Sequence, residues 1–226
     1  MRFLSYYQTF IHHLMYNNVY TSDWRLDTAN TRLVRYIESI GGVATSSELK
    51  ASGFSAGAIA YALETGLVDK LTRGVYCTPD VFEDDFIVID RRWRKCVFSH
   101  ASALYLNGLS DRLPPTQYIT VPRGYNPMEL KEQFPGIRLH WADPQLYSLG
   151  LRTVTTPAGN TVRCYDAERS IADLLKQRKT EGTDAQLMRD AVAGYFKRDD
   201  KDLPKLATMC KSLGVRKELQ VYLEVL

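Results

Sequence analysis

The spacing of apolar positions changes period along this chain, and the changes mark its elements. Leu33, Val34, Ile37 and Ile40 recur on one helix face and predict a helix over Thr28–Ile40, ended by Gly41-Gly42. Thr45 and Glu48 form a T-x-x-E capping box, in which Thr45 caps a short second helix and Glu48 reaches back to it. Gly53 is the left-handed residue that lets the chain reverse. Ser55 then caps a third helix, with Phe54 before it as a hydrophobic staple, Ile59, Ala62 and Leu63 turned inward, and Gly66 closing it. Val43 predicts a short strand, and Leu67–Tyr76 two more joined by a turn. Helix, turn, helix and β-ribbon make a winged helix-turn-helix, whose second helix enters a DNA major groove. A structural helical hairpin with a strand pair attached is the plainer reading of the same pattern.

Pro79-Asp80 breaks the pattern, and a new unit begins around Val81. Glu83-Asp84-Asp85 favours a helix N-terminus, and Arg91-Arg92-Trp93-Arg94-Lys95 closes that segment with four positive charges in five residues. This run reads as a solvated face, or as one that complements a helix C-terminus or extends a DNA footprint. A helix is predicted over Val97–Leu109, with Ala101, Leu104 and Tyr105 packing and Gly108 at its end. Strands follow at Tyr118–Val121, Ile137–Trp141, Leu151–Thr155 and Thr161–Tyr165, the last pair joined by a hairpin turn at Pro157-Ala158-Gly159-Asn160. Asp166 caps a helix that turns Ile171, Leu174 and Leu175 inward. Thr183 and Gln186 form another capping box ahead of Leu187, Ala191, Val192 and Tyr195, and two further helices cover Leu203–Ser212 and Val215–Val225.

The expected fold is therefore α+β: an N-terminal winged helix-turn-helix domain over residues 25–79, then a mixed or antiparallel sheet domain with C-terminal helices over 80–226. Residues 1–24 stand apart, with seven aromatics and a stripe of Leu4, Tyr7, Ile11 and Leu14. An amphipathic helix there serves either as a partner surface or as packing against the chain's own domains.

Composition narrows the class. Hydrophobic content of 45% and charged content of 24% are those of an ordinary globular protein, and 226 residues suffice for two modest cores. A net charge of +3 is compatible with nucleic acid without demanding it. Cys77, Cys96, Cys164 and Cys210 form no C-x-x-C, which points to buried thiols in a reducing compartment rather than zinc or disulfides. The apolar run Phe86-Ile87-Val88-Ile89 is too short to span a bilayer, and no segment resembles a signal peptide. A cytoplasmic location is expected.

Geometry picks out the DNA-facing residues of the winged helix. Ser55, Ala56, Gly57, Ala60, Tyr61 and Glu64 lie on the outer stripe of the third helix, away from Ile59 and Leu63. None is arginine, lysine, asparagine or glutamine, the side chains best at bidentate base readout. Small residues instead allow close approach of the helix backbone, leaving thymine-methyl contacts and the Tyr61 hydroxyl for recognition. Phosphate anchoring is expected from Thr45, Ser46 and Ser47 at the positive end of the second helix, with Lys50 nearby. Lys70 and Arg73 in the wing add backbone or minor-groove contacts. Arg32 and Arg35 on the first helix either touch phosphates or are simply solvated. Residues 25–76 hold six Lys/Arg against five Asp/Glu, so the charge must be arranged rather than abundant.

Catalytic chemistry finds little footing. His100 sits between Ser99 and Ser102, but there is no G-x-S-x-G, and a capping or core histidine fits better. No Walker A motif, G-x-G-x-x-G or Asp-x-Asp pair for magnesium occurs. Neither an enzyme nor a cofactor or metal is expected.

Three blocks in order, "LTRGVYCTP", "SHASALYLNGLSDRLPPTQYITVPRG" and "TVRCYDAERSIADLL", resemble the AbiEi family of antitoxins from type IV toxin–antitoxin (abortive infection) systems. The resemblance runs from about Leu33 to the C-terminus. It implies a bifunctional protein whose winged helix binds inverted repeats in its own promoter and represses it. It also implies that the C-terminal domain opposes a nucleotidyltransferase-like toxin without a stable complex. Arg73-Gly74-Val75-Tyr76 matches the family's wing motif and Asp166–Leu175 its C-terminal helix motif. The recognition helix departs from the pattern in lacking base-reading side chains. Two other readings share the fold: a stand-alone regulator with a ligand-sensing second domain, and a module that neutralises a partner by direct contact.

Overall fold

The computed structural model describes residues 29–79, 84–180 and 184–223, which form eleven helices and eight strands. The aromatic segment 1–24, Thr28, Val81, Glu83 and the Thr183 half of the expected capping box lie outside these residues. The chain opens with α1 (Ala29–Ser39), β1 (Val43–Thr45), α2 (Ser46–Ala51), α3 (Ala56–Glu64), β2 (Asp69–Thr72) and β3 (Val75–Cys77). Leu33, Ile37, Ala44, Leu49, Ile59, Ala62 and Val68 close a small core among them. Phe54 packs on that core, its ring 5.6 Å from Tyr36. The capping box is complete: the Glu48 amide donates to Thr45 Oγ1 at 3.2 Å and the Thr45 amide to Glu48 Oε2 at 2.8 Å. Ser55 Oγ accepts the Ala58 amide at 3.1 Å, and caps of this kind contribute about 1 kcal/mol each. Gly53 takes φ +87° in the turn between α2 and α3.

The ribbon forms an antiparallel sheet in the order β1-β3-β2. Side chains alternate across it, and both faces are covered. Ala44 and its partner Tyr76 face the helix-turn-helix core. Val43, Val75 and Cys77 point the other way, into a core shared with Phe86, Ile87, Ile89, Phe98, Ile119 and Val162. The element between is α4 (Asp85–Arg92), which touches β1 and β3 on one side and β8 on the other. Phe86, Ile87, Val88, Ile89 and Asp90 are all buried, because the helix is covered on both of those sides. Asp90 is tolerated inside because Arg163 donates from Nε at 2.8 Å and from its amide at 2.9 Å. At the start of α4, Asp84 accepts the Phe86 amide at 2.9 Å, the Thr156 hydroxyl at 2.6 Å and the Asn160 side chain at 3.0 Å. One buried carboxylate thereby fixes the helix to the turn of a distant hairpin.

That hairpin belongs to a five-stranded mixed sheet in the order β6-β5-β4-β8-β7, comprising β4 (Val97–Phe98), β5 (Tyr118–Pro122), β6 (Arg138–Ala142), β7 (Leu151–Thr155) and β8 (Thr161–Tyr165). β4 joins its halves, antiparallel to β5 and parallel to β8. Here the expected helix over Val97–Leu109 is corrected: Val97 and Phe98 are strand, and the helix is α5 (His100–Leu106). A strand of two residues is too short to show a period. Two short helices, α6 (Met128–Gln133) and α7 (Pro144–Tyr147), flank β6.

Helices α8 (Ala167–Thr180), α9 (Ala185–Lys197), α10 (Leu203–Ser212) and α11 (Arg216–Leu223) bury Ile171, Leu174, Leu175, Met188, Val192 and Tyr195 in a third core. The helix expected over Val215–Val225 is seen as α11, and residues beyond Leu223 lie outside the described range. Asp184 accepts the Gln186 amide at 2.8 Å, while the Gln186 side chain bonds Asp190 and Arg189. Arg169 is 2% exposed, ion-paired to Asp173 at 3.0 Å, and donates to the Leu146 and Leu149 carbonyls. Gly150 (φ +81°) lies over it, where an added Cβ would come within 2.7 Å of Arg169 Cβ. All four cysteines are buried, and burial pushes the Cys96 and Cys210 thiols up to about 12. Among the described residues no helix is long and apolar enough to cross a membrane.

Candidate nucleic-acid interface

The sequence-selected residues fall into three places. Ser55, Ala56, Gly57, Ala60, Tyr61 and Glu64 are all exposed on the outer face of α3, while Ile59 and Ala62 are buried on the inner one. Tyr61 is 52% exposed and is the one large ring on this face. Among the described residues, nothing packed around Gly57 requires a glycine in this helix. A Cβ there would meet only Ser55 Oγ, at 3.8 Å, and glycine in a helix costs about 1 kcal/mol relative to alanine.

A second group converges on a cleft of about 420 Å³. Thr45, Ser46 and Ser47 line it from the start of α2 and Lys50 from its last turn, with Arg73, Gly74 and Val75 from the wing. The wing tip is held close because the Ser46 amide donates to the Gly74 carbonyl at 2.8 Å. Gly74 takes φ +76° there, so the two-residue turn Arg73-Gly74 needs glycine. Arg32 and Arg35 are exposed on α1 and Lys70 on β2, none of them lining the cleft.

The third wall comes from residues sequence reading left out of the site: Arg91, Arg92 and Arg94. The run Arg91–Lys95 is only half a solvated face: Arg94 and Lys95 are exposed, whereas Arg91 and Arg92 are half-buried. Arg91 donates to Glu48 Oε1 and to the Ile40 carbonyl, each at 3.0 Å, and Arg94 donates to the same Glu48 oxygen at 2.8 Å. Arg92 pairs with Glu129 at 2.8 Å and donates to the Arg73 carbonyl, while Thr72 Oγ1 donates to Gln133 at 2.9 Å. The C-terminal turn of α4 thus holds the wing from behind, with cations at the helix end where the macrodipole favours them. The signal was visible as four cations in five residues, but nothing in the sequence placed that run beside residues 45–50 and 73.

Glu48 is the hub. Burial alone would raise its carboxyl, but the Thr45 amide and hydroxyl with Arg91 and Arg94 outweigh that and hold it below the ordinary carboxylate value. One oxygen closes the cap and the other is shared by two arginines. Five cations lining the cleft therefore face two carboxylates, and the excess is positive.

His100 plays no part in this surface. It is buried at a left-handed φ of +49°, its Nδ1 is 3.0 Å from Ser99 Oγ, and its ring stacks on His140 at 3.8 Å. Ser99 is fully buried and also receives the Thr120 hydroxyl at 2.9 Å.

A three-helix core with a β-ribbon and an outward-facing second helix defines a winged helix-turn-helix protein. Residues 32–79, which cover most of that unit, match the family model described as "Transcriptional regulator, AbiEi antitoxin", so this stretch is similar to a family of antitoxin regulators. No curated protein matches the chain. Among solved structures, the crystal structure of the RV2827C protein from Mycobacterium tuberculosis is similar at a TM-score of 0.43 and 15% identity, over 88% of this chain and 82% of that one.

Proposed function

We propose that this chain is a DNA-binding antitoxin regulator that binds inverted repeats in its own promoter and represses it. Residues 25–79 serve as the DNA-binding domain and residues 80–226 as the antitoxin domain, which opposes a nucleotidyltransferase-like toxin without a stable complex. The observation that carries the reading is the outer face of α3: every outward residue is exposed, four of the six are small, and a glycine sits where the fold alone favours alanine. Such a face suits close approach to a duplex, with Tyr61 as the one large side chain able to touch base edges. Ser55, Ala56, Gly57 and Tyr61 enter the groove in this reading. Thr45, Ser46, Ser47, Lys50, Lys70 and Arg73 hold phosphates beside it, with Arg32 and Arg35 on the flank.

A mobility-shift or anisotropy titration of the full-length protein on its upstream promoter tests this. Binding should favour the promoter over a scrambled duplex and weaken steeply between 50 and 200 mM salt, by about tenfold or more if several phosphates are contacted. Equal affinity for both duplexes, or none for either at 50 mM salt, overturns the reading.

A further inference from the structure

The cleft at the wing has a wall that the winged helix does not supply. We propose that it is a phosphodiester site for the DNA backbone shared by the two units, with Arg94 of the second unit contributing a contact and Glu48 limiting it. The inference rests on the DNA-binding reading and extends the site beyond residue 79.

Three observations converge. The cleft lies between the first turn of α2 and the wing tip, and in a helix-turn-helix the first helix crosses the phosphate backbone. Its lining is cationic and hydroxylic: Lys50, Arg73 and Arg94 reach solvent above Ser46 and Ser47. The charge is also under-compensated, because the single Glu48 carboxylate serves both Arg91 and Arg94. Arg91 and Arg92 are committed to the winged helix, at 18% and 14% side-chain exposure, whereas Arg94 is 57% exposed and can turn toward a phosphate. A planar guanidinium fits a phosphate with two parallel N–H donors. As Arg94 turns, Glu48 keeps Arg91 and its cap, so the scaffold of α2 is undisturbed.

Anisotropy on the full-length protein decides it, using the upstream promoter and a scrambled duplex across 50–200 mM salt. Arg94→Ala should weaken both duplexes by the same factor and flatten the log K against log salt slope by about 0.9, which at 0.1 M salt is roughly eightfold in affinity. Arg94→Lys, which keeps the charge, should keep the slope. Glu48→Gln should tighten both duplexes, since glutamine still completes a capping box but no longer competes for Arg94. Arg189→Ala, on α9 outside the cleft, should change nothing. Circular dichroism melts check that each variant folds. If the wild type binds DNA and Arg94→Ala is unchanged, the shared site falls while the DNA-binding reading stands. If the wild type binds neither duplex, both fall. If inorganic phosphate raises the melting temperature, Arg94→Ala abolishes that rise, and DNA affinity is unaffected, the cleft holds a free anion and the proposal is overturned.

Discussion

His100 shows how much one side chain can be asked to bear. It occupies a backbone region that non-glycine residues visit rarely, and it is buried against a second imidazole. Burial first, then His140, Arg169 and Lys176, depress its pKa well below the ordinary histidine value. The folded imidazole therefore stays neutral where an unfolded one takes up a proton. Below about pH 6.5 the unfolded state binds more protons, so stability falls with falling pH until the folded group itself titrates. Urea unfolding between pH 7.5 and 5 should show this loss, approaching 1.4 kcal/mol per pH unit for one proton. His100→Asn, a residue that tolerates the left-handed region, should flatten the dependence. An unchanged pH slope in that variant would assign the effect to other groups.

The recognition helix is where stability and function should pull apart. A Cβ at Gly57 would make only ordinary contact with Ser55 Oγ on a helical backbone, so Gly57→Ala should stabilise the fold by about 0.5–1 kcal/mol. If α3 approaches DNA closely, the same methyl group should lower promoter affinity. Thermal melts and anisotropy on one preparation read both, and a variant that is stabilised with affinity intact would argue against close approach there. Tyr61→Ala should alter preference between duplex sequences, whereas Lys70→Ala should weaken all of them about equally. The opposite pattern would exchange the roles of helix and wing.

The two units are joined by a core, not only by a linker. Val43, Val75 and Cys77 bury their side chains against α4 and the five-stranded sheet, and Arg91 and Arg92 tie α2 and the wing tip to the same helix. A fragment of residues 1–80 would uncover that face and lose the wing's backing. It should retain helical content by circular dichroism but melt well below the full-length protein and bind DNA more weakly. A fragment melting cooperatively at the full-length temperature would mean that the shared core contributes little. An antitoxin assay on the same fragment is expected to show no protection, because the second unit carries that activity in the proposed division.

Local rules reached far into this fold. Capping boxes, left-handed glycines and helical spacing are encoded within four or five residues of one another, so α1 to α3, the ribbon and the strands from Tyr118 to Tyr165 lie close to where the pattern puts them. The outward face of α3 follows from the same spacing, because the Ile59 and Ala62 stripe defines its opposite. Contacts across long separations were beyond such rules. Glu48 meets Arg91 and Arg94, 43 and 46 residues away, and Asp84 meets Asn160 across 76. A charge run carries no record of its partner, and a two-residue strand such as β4 has no period at all. The arginine wall of the cleft and the shared core exist only because α4 is held between two sheets, and packing of that kind is settled by the whole chain at once.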